Sequence, residues 1–155
     1  MISLIWAQTK NKVIGKDNKL PWDIKEEMQH FINYTRGKTI LMGRNTWDSL
    51  SKKPLPNRKN ILITSRELEK SYNNLEVSNN LKEILERYKD SDEELVIIGG
   101  SQIYKSALDY ADKLIVSIIN EDYQGNIFAP QLDESIFKLI NKKEFSEFIT
   151  YYYER

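Results

Sequence analysis

Residues 14–31 read Ile-Gly-Lys-Asp-Asn-Lys-Leu-Pro-Trp-Asp-Ile-Lys-Glu-Glu-Met-Gln-His-Phe, a polar loop that passes through Leu20-Pro-Trp22 into a helix. Gly15, Asp17 and Asn18 build the loop, and Pro21 disfavours helical geometry at Leu20. With Asp23 as the expected N-cap, the helix carries an apolar stripe of Ile24, Met28 and Phe31. Position 27 falls inside that stripe, whereas Glu26 sits about 100° away on the side of His30 and Asn33. A carboxylate on the buried side of a helix is costly unless something hydrogen-bonds to it. Geometry alone leaves two readings of Glu27 open. It is either a boundary glutamate that reaches solvent or a lysine, or a carboxylate at the floor of a ligand cleft covered by the loop before it.

Composition narrows the function classes. At 155 residues the chain is expected to form a single domain, residues 1–155, around one continuous core. Lys+Arg and Asp+Glu both number 23, so no net field draws the protein to nucleic acid or to an anionic membrane. No apolar run approaches the roughly 20 residues that span a bilayer. Residues 2–7 are too short for a signal-peptide core, and a cytoplasmic protein is expected. With no cysteine, disulfides, thiolate nucleophiles and cysteine metal sites are excluded. The single histidine, His30, cannot by itself make a typical zinc site or a catalytic triad, and it is expected at the surface. No metal is expected.

Residues 2–7 form a nearly continuous apolar run, a strand covered on both faces. Residues 39–42 are a second strand that stops at Gly43. Arg44, Asn45 and Thr46 then open a short helix whose free backbone N–H groups suit an anion. Pro54-Leu-Pro-Asn57 marks a loop. Residues 60–64 are a third strand ended by Ser65-Arg66, a hydroxyl and a guanidinium that suit a phosphate. Residues 75–77 have the makings of a short strand, and Asn80 caps a helix with Leu81, Ile84, Leu85 and Tyr88 on its core face. Residues 95–104, Leu-Val-Ile-Ile-Gly-Gly-Ser-Gln-Ile-Tyr, read as a buried strand, two glycines and a helix that runs to about Leu108. Paired glycines let a ligand approach the main chain, although alone they fit any tight turn, and the full G-x-G-x-x-G spacing is missing. Residues 113–119 are a further strand with Ser117 turned to one face, and 120–131 are a loop containing Gly125 and Pro130. Residues 137–143 and 145–153 close the chain as an antiparallel hairpin.

Alternating strands and helices followed by strands alone predict a three-layer α/β/α sandwich. Its mostly parallel sheet has about eight strands with an antiparallel C-terminal hairpin, and there are about four helices. Ligands of such sheets bind at the carboxyl ends of the strands, where these polar features gather.

Five stretches follow one another at characteristic spacing: Met1-Ile-Ser-Leu-Ile5, Val13-Ile-Gly15 with Leu20-Pro-Trp22, Met42-Gly-Arg-Asn-Thr-Trp-Asp-Ser-Leu50, Pro54-Leu-Pro-Asn-Arg-Lys-Asn60 and Ile98-Gly-Gly-Ser-Gln-Ile-Tyr104. In that order the chain resembles bacterial-type dihydrofolate reductase over almost its full length. The resemblance selects Glu27 over Glu26, because the family's acidic residue lies five positions after the Trp of Pro-Trp. It implies NADPH-dependent reduction of 7,8-dihydrofolate to 5,6,7,8-tetrahydrofolate, with hydride delivered to C6 and a proton to N5, in support of one-carbon metabolism and of thymidylate and purine synthesis. Glu27 would accept two hydrogen bonds from the 2-amino group and N3 of the pterin. Burial should raise its pKa and those donors lower it again. Trp22, through an ordered water, and Ser117, by hydrogen bonding, match positions that support it.

The folate pocket implied by the resemblance comprises Ile5, Ala7, Glu27, Met28, Phe31, Leu50, Leu55, Ile98, Tyr104 and Ser117, with Arg58 holding the α-carboxylate of the glutamate tail. On the cofactor side, Ala7, Ile14, Gly15, Asn18 and Leu20 match the nicotinamide end. Gly43, Arg44, Asn45 and Thr46 match the phosphates, and Thr64, Ser65 and Arg66 the adenosine end. Ile98, Gly99, Gly100, Ser101, Gln102, Ile103 and Tyr104 match the pyrophosphate. Antifolate inhibitors are implied ligands, and a monomer is expected because no element shows an unexplained apolar outer face.

Three departures bear on these expectations. Gln102 stands where many members have a basic residue, which shifts preference for NADPH onto Arg44, Ser65 and Arg66. Asn126-Ile127 and Ala129-Pro130 replace the usual Asp-Thr and Phe-Pro, so weaker switching of the loop at residues 14–22 is expected. Trp6 is bulky where small residues are common. The related pyrimidine reductase of riboflavin synthesis shares fold and cofactor, but Leu20-Pro-Trp22, Glu27 and the 54–60 stretch argue against it. A non-catalytic nucleotide-binding or RNA-interacting homologue is disfavoured by Glu27, the glycine pair and the neutral charge.

Overall fold

The computed structural model describes residues 1–15 and 21–155. In chain order its elements are β1 (Ile2–Thr9), β2 (Val13–Gly15), α1 (Lys25–Thr35), β3 (Thr39–Gly43), α2 (Arg44–Ser49), β4 (Lys59–Ile63), β5 (Leu75–Ser78) and α3 (Leu81–Lys89). They continue with β6 (Leu95–Gly99), α4 (Ser101–Ala107), β7 (Lys113–Ile119), β8 (Ile127–Phe128), β9 (Lys138–Glu144) and β10 (Phe148–Glu154). Eight strands form one sheet in the order β5-β4-β3-β6-β1-β7-β10-β9. All its pairings are parallel except those of β10, which runs antiparallel to both β7 and β9.

The apolar run of β1 is continuous because both its faces are covered. Leu4 and Trp6 pack with Leu85 and Tyr88 of α3 and Tyr104 of α4, whereas Ile5 joins Trp47 of α2 and Phe31 and Tyr34 of α1 on the other side. Three layers result, as the alternation of elements predicted. Asn80 caps α3 as its side chain foretold, its Oδ1 accepting from the Glu83 N–H at 3.1 Å.

Several local expectations are corrected. Ile24, not Asp23, is the N-cap residue of α1, and no side chain caps that end. Burial of Trp22 and Ile24 in a cluster with Ile119 and Phe148 fixes the chain's entry, and Asp23 faces solvent. On α1 only Glu27 and Thr35 are buried, and Met28 is 45% exposed. His30 is not a surface residue: it is half-buried, its ring edge-on to Phe145, Phe148 and Tyr152 and its Nε2 3.2 Å from the Tyr152 hydroxyl. Residues 13–15 and 127–128, both read as loop, form a small antiparallel ribbon. Such short strands carry too few residues for alternation to be seen.

Candidate functional site

Glu27 occupies the first turn of α1 and is 9% exposed. Burial penalises its charged form and pushes the carboxyl up to about 7, with the Trp22 indole pulling it part of the way back. Trp22 Nε1 is itself buried, with no hydrogen-bond partner at bonding distance among the described residues. Tyr104 of α4 donates to the Ile5 carbonyl at 2.6 Å. Burial raises the affinity of that phenol for its proton, and the nearby Glu27 charge adds to the effect.

An apolar wall runs from this carboxyl along α1. Phe31, Leu50, Leu55 and Ile98 are all partly buried and pack against one cluster that includes Ile5. At the far end of α1 stands Arg58, buried just before β4. Its Nε donates to Thr35 Oγ1 at 2.9 Å, Nη1 to the Pro56 carbonyl at 2.5 Å and Nη2 to the Ile32 carbonyl at 3.1 Å. A guanidinium has five N–H donors, so two remain for a ligand carboxylate, held in a fixed plane by the other three. From Glu27 to Thr35 the helix rises about 12 Å at 1.5 Å per residue. A buried carboxyl and an oriented cation thus stand toward opposite ends of α1, with partly buried apolar side chains packed between β1 and that helix.

A second set of polar groups lies where β3 and β6 end. Gly99 has φ +143°, and a Cβ there would stand 2.8 Å from Thr46 Oγ1 of α2. The Gly99–Gly100 peptide is cis. Arg44 opens α2, its Nε 3.1 Å from Asp48 Oδ1, while its Nη1 is buried without a hydrogen-bond partner among the described residues. Asp48 also approaches Arg66 Nη2 at 3.8 Å, which gathers Arg44 and Arg66 around one carboxylate. An orphaned buried guanidinium nitrogen and a glycine edge that admits no side chain fit the phosphates of a dinucleotide. Among the described residues, no group of three or more His, Asp or Glu side chains is placed to hold a metal ion.

The family model described as dihydrofolate reductase matches residues 1–154. The chain belongs to the dihydrofolate reductase family. The dihydrofolate reductase of Ureaplasma parvum is 40% identical over 99% of this chain and 96% of its own length, and that of Bacillus subtilis 39% identical over 93% and 84%. A solved dihydrofolate reductase from Enterococcus faecalis, complexed with NADP(H) and RAB-propyl, superposes with a TM-score of 0.88 at 30% identity, covering 100% of this chain and 96% of that one. A protein of Mycoplasmoides gallisepticum named segregation and condensation protein A is also 39% identical over the whole of this chain, which matches 26% of its length.

Of the residues expected on the folate side, Glu27, Trp22 and Tyr104 come together near the first turn of α1, Ile5, Phe31, Leu50, Leu55 and Ile98 share one apolar cluster, and Arg58 lies by the last turn of α1. Met28 stands more open than a wall residue. Ser117 is buried on β7, its Oγ 2.7 Å from Thr150 Oγ1, the residue directly across from it on β10, with either hydroxyl able to donate. Gly43, Arg44, Thr46, Gly99 and Gly100 gather where β3 and β6 end. Thr64, Ser65 and Arg66 follow β4, with Thr64 Oγ1 accepting the Arg66 N–H. Ala7, Ile14 and Gly15 lie on β1 and β2. Asn18 and Leu20 lie outside the described residues. Asn45, Ser101, Gln102 and Ile103 occupy the helices that start at this edge, with Asn45 and Gln102 exposed.

Four residues lie outside the sequence reading: Thr35, which orients Arg58; Asp48, which holds two arginines; Thr150, whose hydroxyl is hydrogen-bonded with that of Ser117; and Tyr123, which packs on Trp22. Trp6, bulky where small residues are common, has its ring 5.4 Å from that of Tyr104. Only Thr35 carried a signal, as a polar residue one turn beyond Phe31 on the same face of α1.

Proposed function

We propose that the chain reduces 7,8-dihydrofolate to 5,6,7,8-tetrahydrofolate with NADPH, and that Glu27 is the carboxyl that binds the pterin. The observation that carries this reading is the arrangement along α1, with a buried carboxyl raised to about 7 at its first turn, an oriented guanidinium at its far end, and partly buried apolar side chains between them. A molecule with a flat hydrogen-bonding head, an apolar middle and a terminal carboxylate has that profile. NADPH supplies the hydride when bound. Glu27 accepts from the ring's amino and N–H donors and fixes its orientation. The Trp22 side chain restricts water at that carboxyl, and the proton for N5 arrives through solvent beside it. Arg44, Thr46 and the Gly99–Gly100 edge hold the cofactor phosphates, and Arg66, steadied by Asp48, favours the phosphorylated ribose. The solved relative bound to NADP(H) supports the cofactor.

The chain is read as one domain acting as a monomer in the cytoplasm and open to antifolate inhibitors. Support comes from the near-equal length of the Ureaplasma relative, and no helix among the described residues is long and apolar enough to cross a membrane.

The test is the loss of NADPH absorbance on adding dihydrofolate, with the parent and Glu27→Gln side by side. The parent should oxidise NADPH rapidly, and the variant should lose about two orders of magnitude in kcat/KM. An inactive parent that still binds NADPH would point to a different pterin or pyrimidine substrate.

A further inference from the structure

The connection from β7 to β8 touches both ends of the segment that precedes α1. At the near end the Asn126 N–H donates to the Gly15 carbonyl at 3.2 Å, and Gly125 lies so close to β2 that a Cβ there would overlap Val13 and the Gly15 carbonyl. At the far end Tyr123 packs its ring on Trp22, with centroids 6.0 Å apart and planes at 57°. Tyr123 is half-buried there, against a cluster that includes Trp22, Ile24, Ile119 and Phe148. Among the described residues its hydroxyl has only a long contact, 3.5 Å to Glu121, so the ring rather than the hydroxyl makes the attachment.

We propose that Tyr123 is a positioning residue for Glu27: its ring holds the Trp22 indole against the carboxyl and keeps bulk water away from it. The inference rests on the reading of Glu27 as the pterin-binding carboxyl, and it adds a residue from a remote loop to that site.

Tyr123 touches no ligand group; it acts through Trp22. Trp22 is buried and so is its Nε1, which closes no hydrogen bond at bonding distance among the described residues. The side chain therefore depends on packing, and Tyr123 forms its one ring–ring contact among the described residues, a tilted one. The dominant influence on Glu27 is its removal from water, and the Trp22 N–H is the smaller, opposing one. If the indole swings away, water returns to the carboxyl, and relief of the larger effect wins.

Other groups around Glu27 are accounted for. Tyr104 approaches from α4 with its hydroxyl committed to the Ile5 carbonyl. On α1, Glu26 accepts from Ser146 at 3.1 Å, and His30 lies by Tyr152 and feels Lys143. Ser117 of β7 and Thr150 of β10 are bonded to each other. Glu121 and Glu147 stand near Tyr123 itself.

The experiment titrates the Glu27 carboxyl by NMR in ligand-free protein labelled with 13C at the glutamate side chains, comparing the parent, Tyr123→Ala, Tyr123→Leu and Tyr123→Phe. The parent midpoint should lie near 7. Tyr123→Ala should lower it by at least about half a pH unit toward the ordinary carboxyl value, with Tyr123→Leu between the two and Tyr123→Phe matching the parent. A Tyr123→Ala midpoint at or above the parent's overturns the proposal, as does a Tyr123→Phe midpoint that falls with it. Should Tyr123→Ala fail to fold, Tyr123→Leu decides, and an unmoved midpoint there overturns it too. Dihydrofolate reduction by the parent is assayed separately. An active parent with unmoved midpoints sinks the Tyr123 role alone, and an inactive parent sinks the reading of Glu27 on which it rests.

Discussion

At the scale of single residues, Glu27 governs how stability should vary with pH. A free glutamate titrates near 4.5, and this one is pushed up to about 7 by burial, so between those values the folded chain keeps a proton that the unfolded chain releases. Its contribution to stability is whole below pH 4.5 and is lost as pH rises toward 7, by up to about 3 kcal/mol. Glutamine cannot ionise. Ligand-free Glu27→Gln should therefore gain thermal stability on its parent between pH 4.5 and pH 8, which calorimetry at the two pH values would read. His30, whose protonation burial also suppresses, titrates in both proteins and cancels from the comparison. A parallel pH dependence of the two proteins would mean that the carboxyl is already ionised in the fold. Helical periodicity exposed Glu27 because a charged residue breaks an apolar stripe at a fixed spacing. Tyr123 and Thr150 left no such trace, since each meets its partner across a long stretch of chain through packing that sequence does not encode locally.

Among the elements, the junction of β6 with α4 is where backbone conformation and site chemistry coincide. The pair Gly99-Gly100 was visible in the sequence as a strand-to-helix turn, but the sequence could not say which of the two glycines is indispensable. Only Gly99 combines a positive φ with a close neighbour, Thr46 Oγ1 at 2.8 Å from where a Cβ would stand. At Gly100 the corresponding distance is 3.5 Å, an ordinary contact. Gly99→Ala should thus push α2 and its Arg44 away from the phosphate edge and cost on the order of 1–3 kcal/mol in stability. NADPH affinity, read by fluorescence titration, should fall by about tenfold or more in Gly99→Ala and much less in Gly100→Ala. Equal losses in the two variants would assign the sensitivity to turn flexibility instead. The ribbon of β2 and β8 shows the opposite case. Asn126 keeps the connection to Gly15 through its backbone N–H, so the replacement of the usual residue there leaves at least this tie intact.

For the whole molecule, the open question is what becomes of the two sheet edges. β5 is only four residues long and is covered in part by α3, whose Arg87 reaches Glu76 at 2.9 Å. β9 is the exposed edge: all seven of its residues are exposed, Leu139 at 51% and Ile140 at 56%. A flat strand with that apolar surface would invite a second copy to pair. Two features oppose it. Lys138, Lys142 and Lys143 crowd the strand with positive charge, and the register with β10 skips Ile140, a bulge that twists the edge away from straight pairing. The chain should therefore sediment as a monomer of 18.3 kDa across the micromolar range. Replacing Lys142 and Lys143 together by valine removes most of that charge while leaving the site untouched. The double variant is expected to self-associate with concentration while its turnover per chain stays that of the parent. A parent that already sediments as a dimer would show that the lysines and the bulge do not protect the edge, and that β9 is an interface between copies.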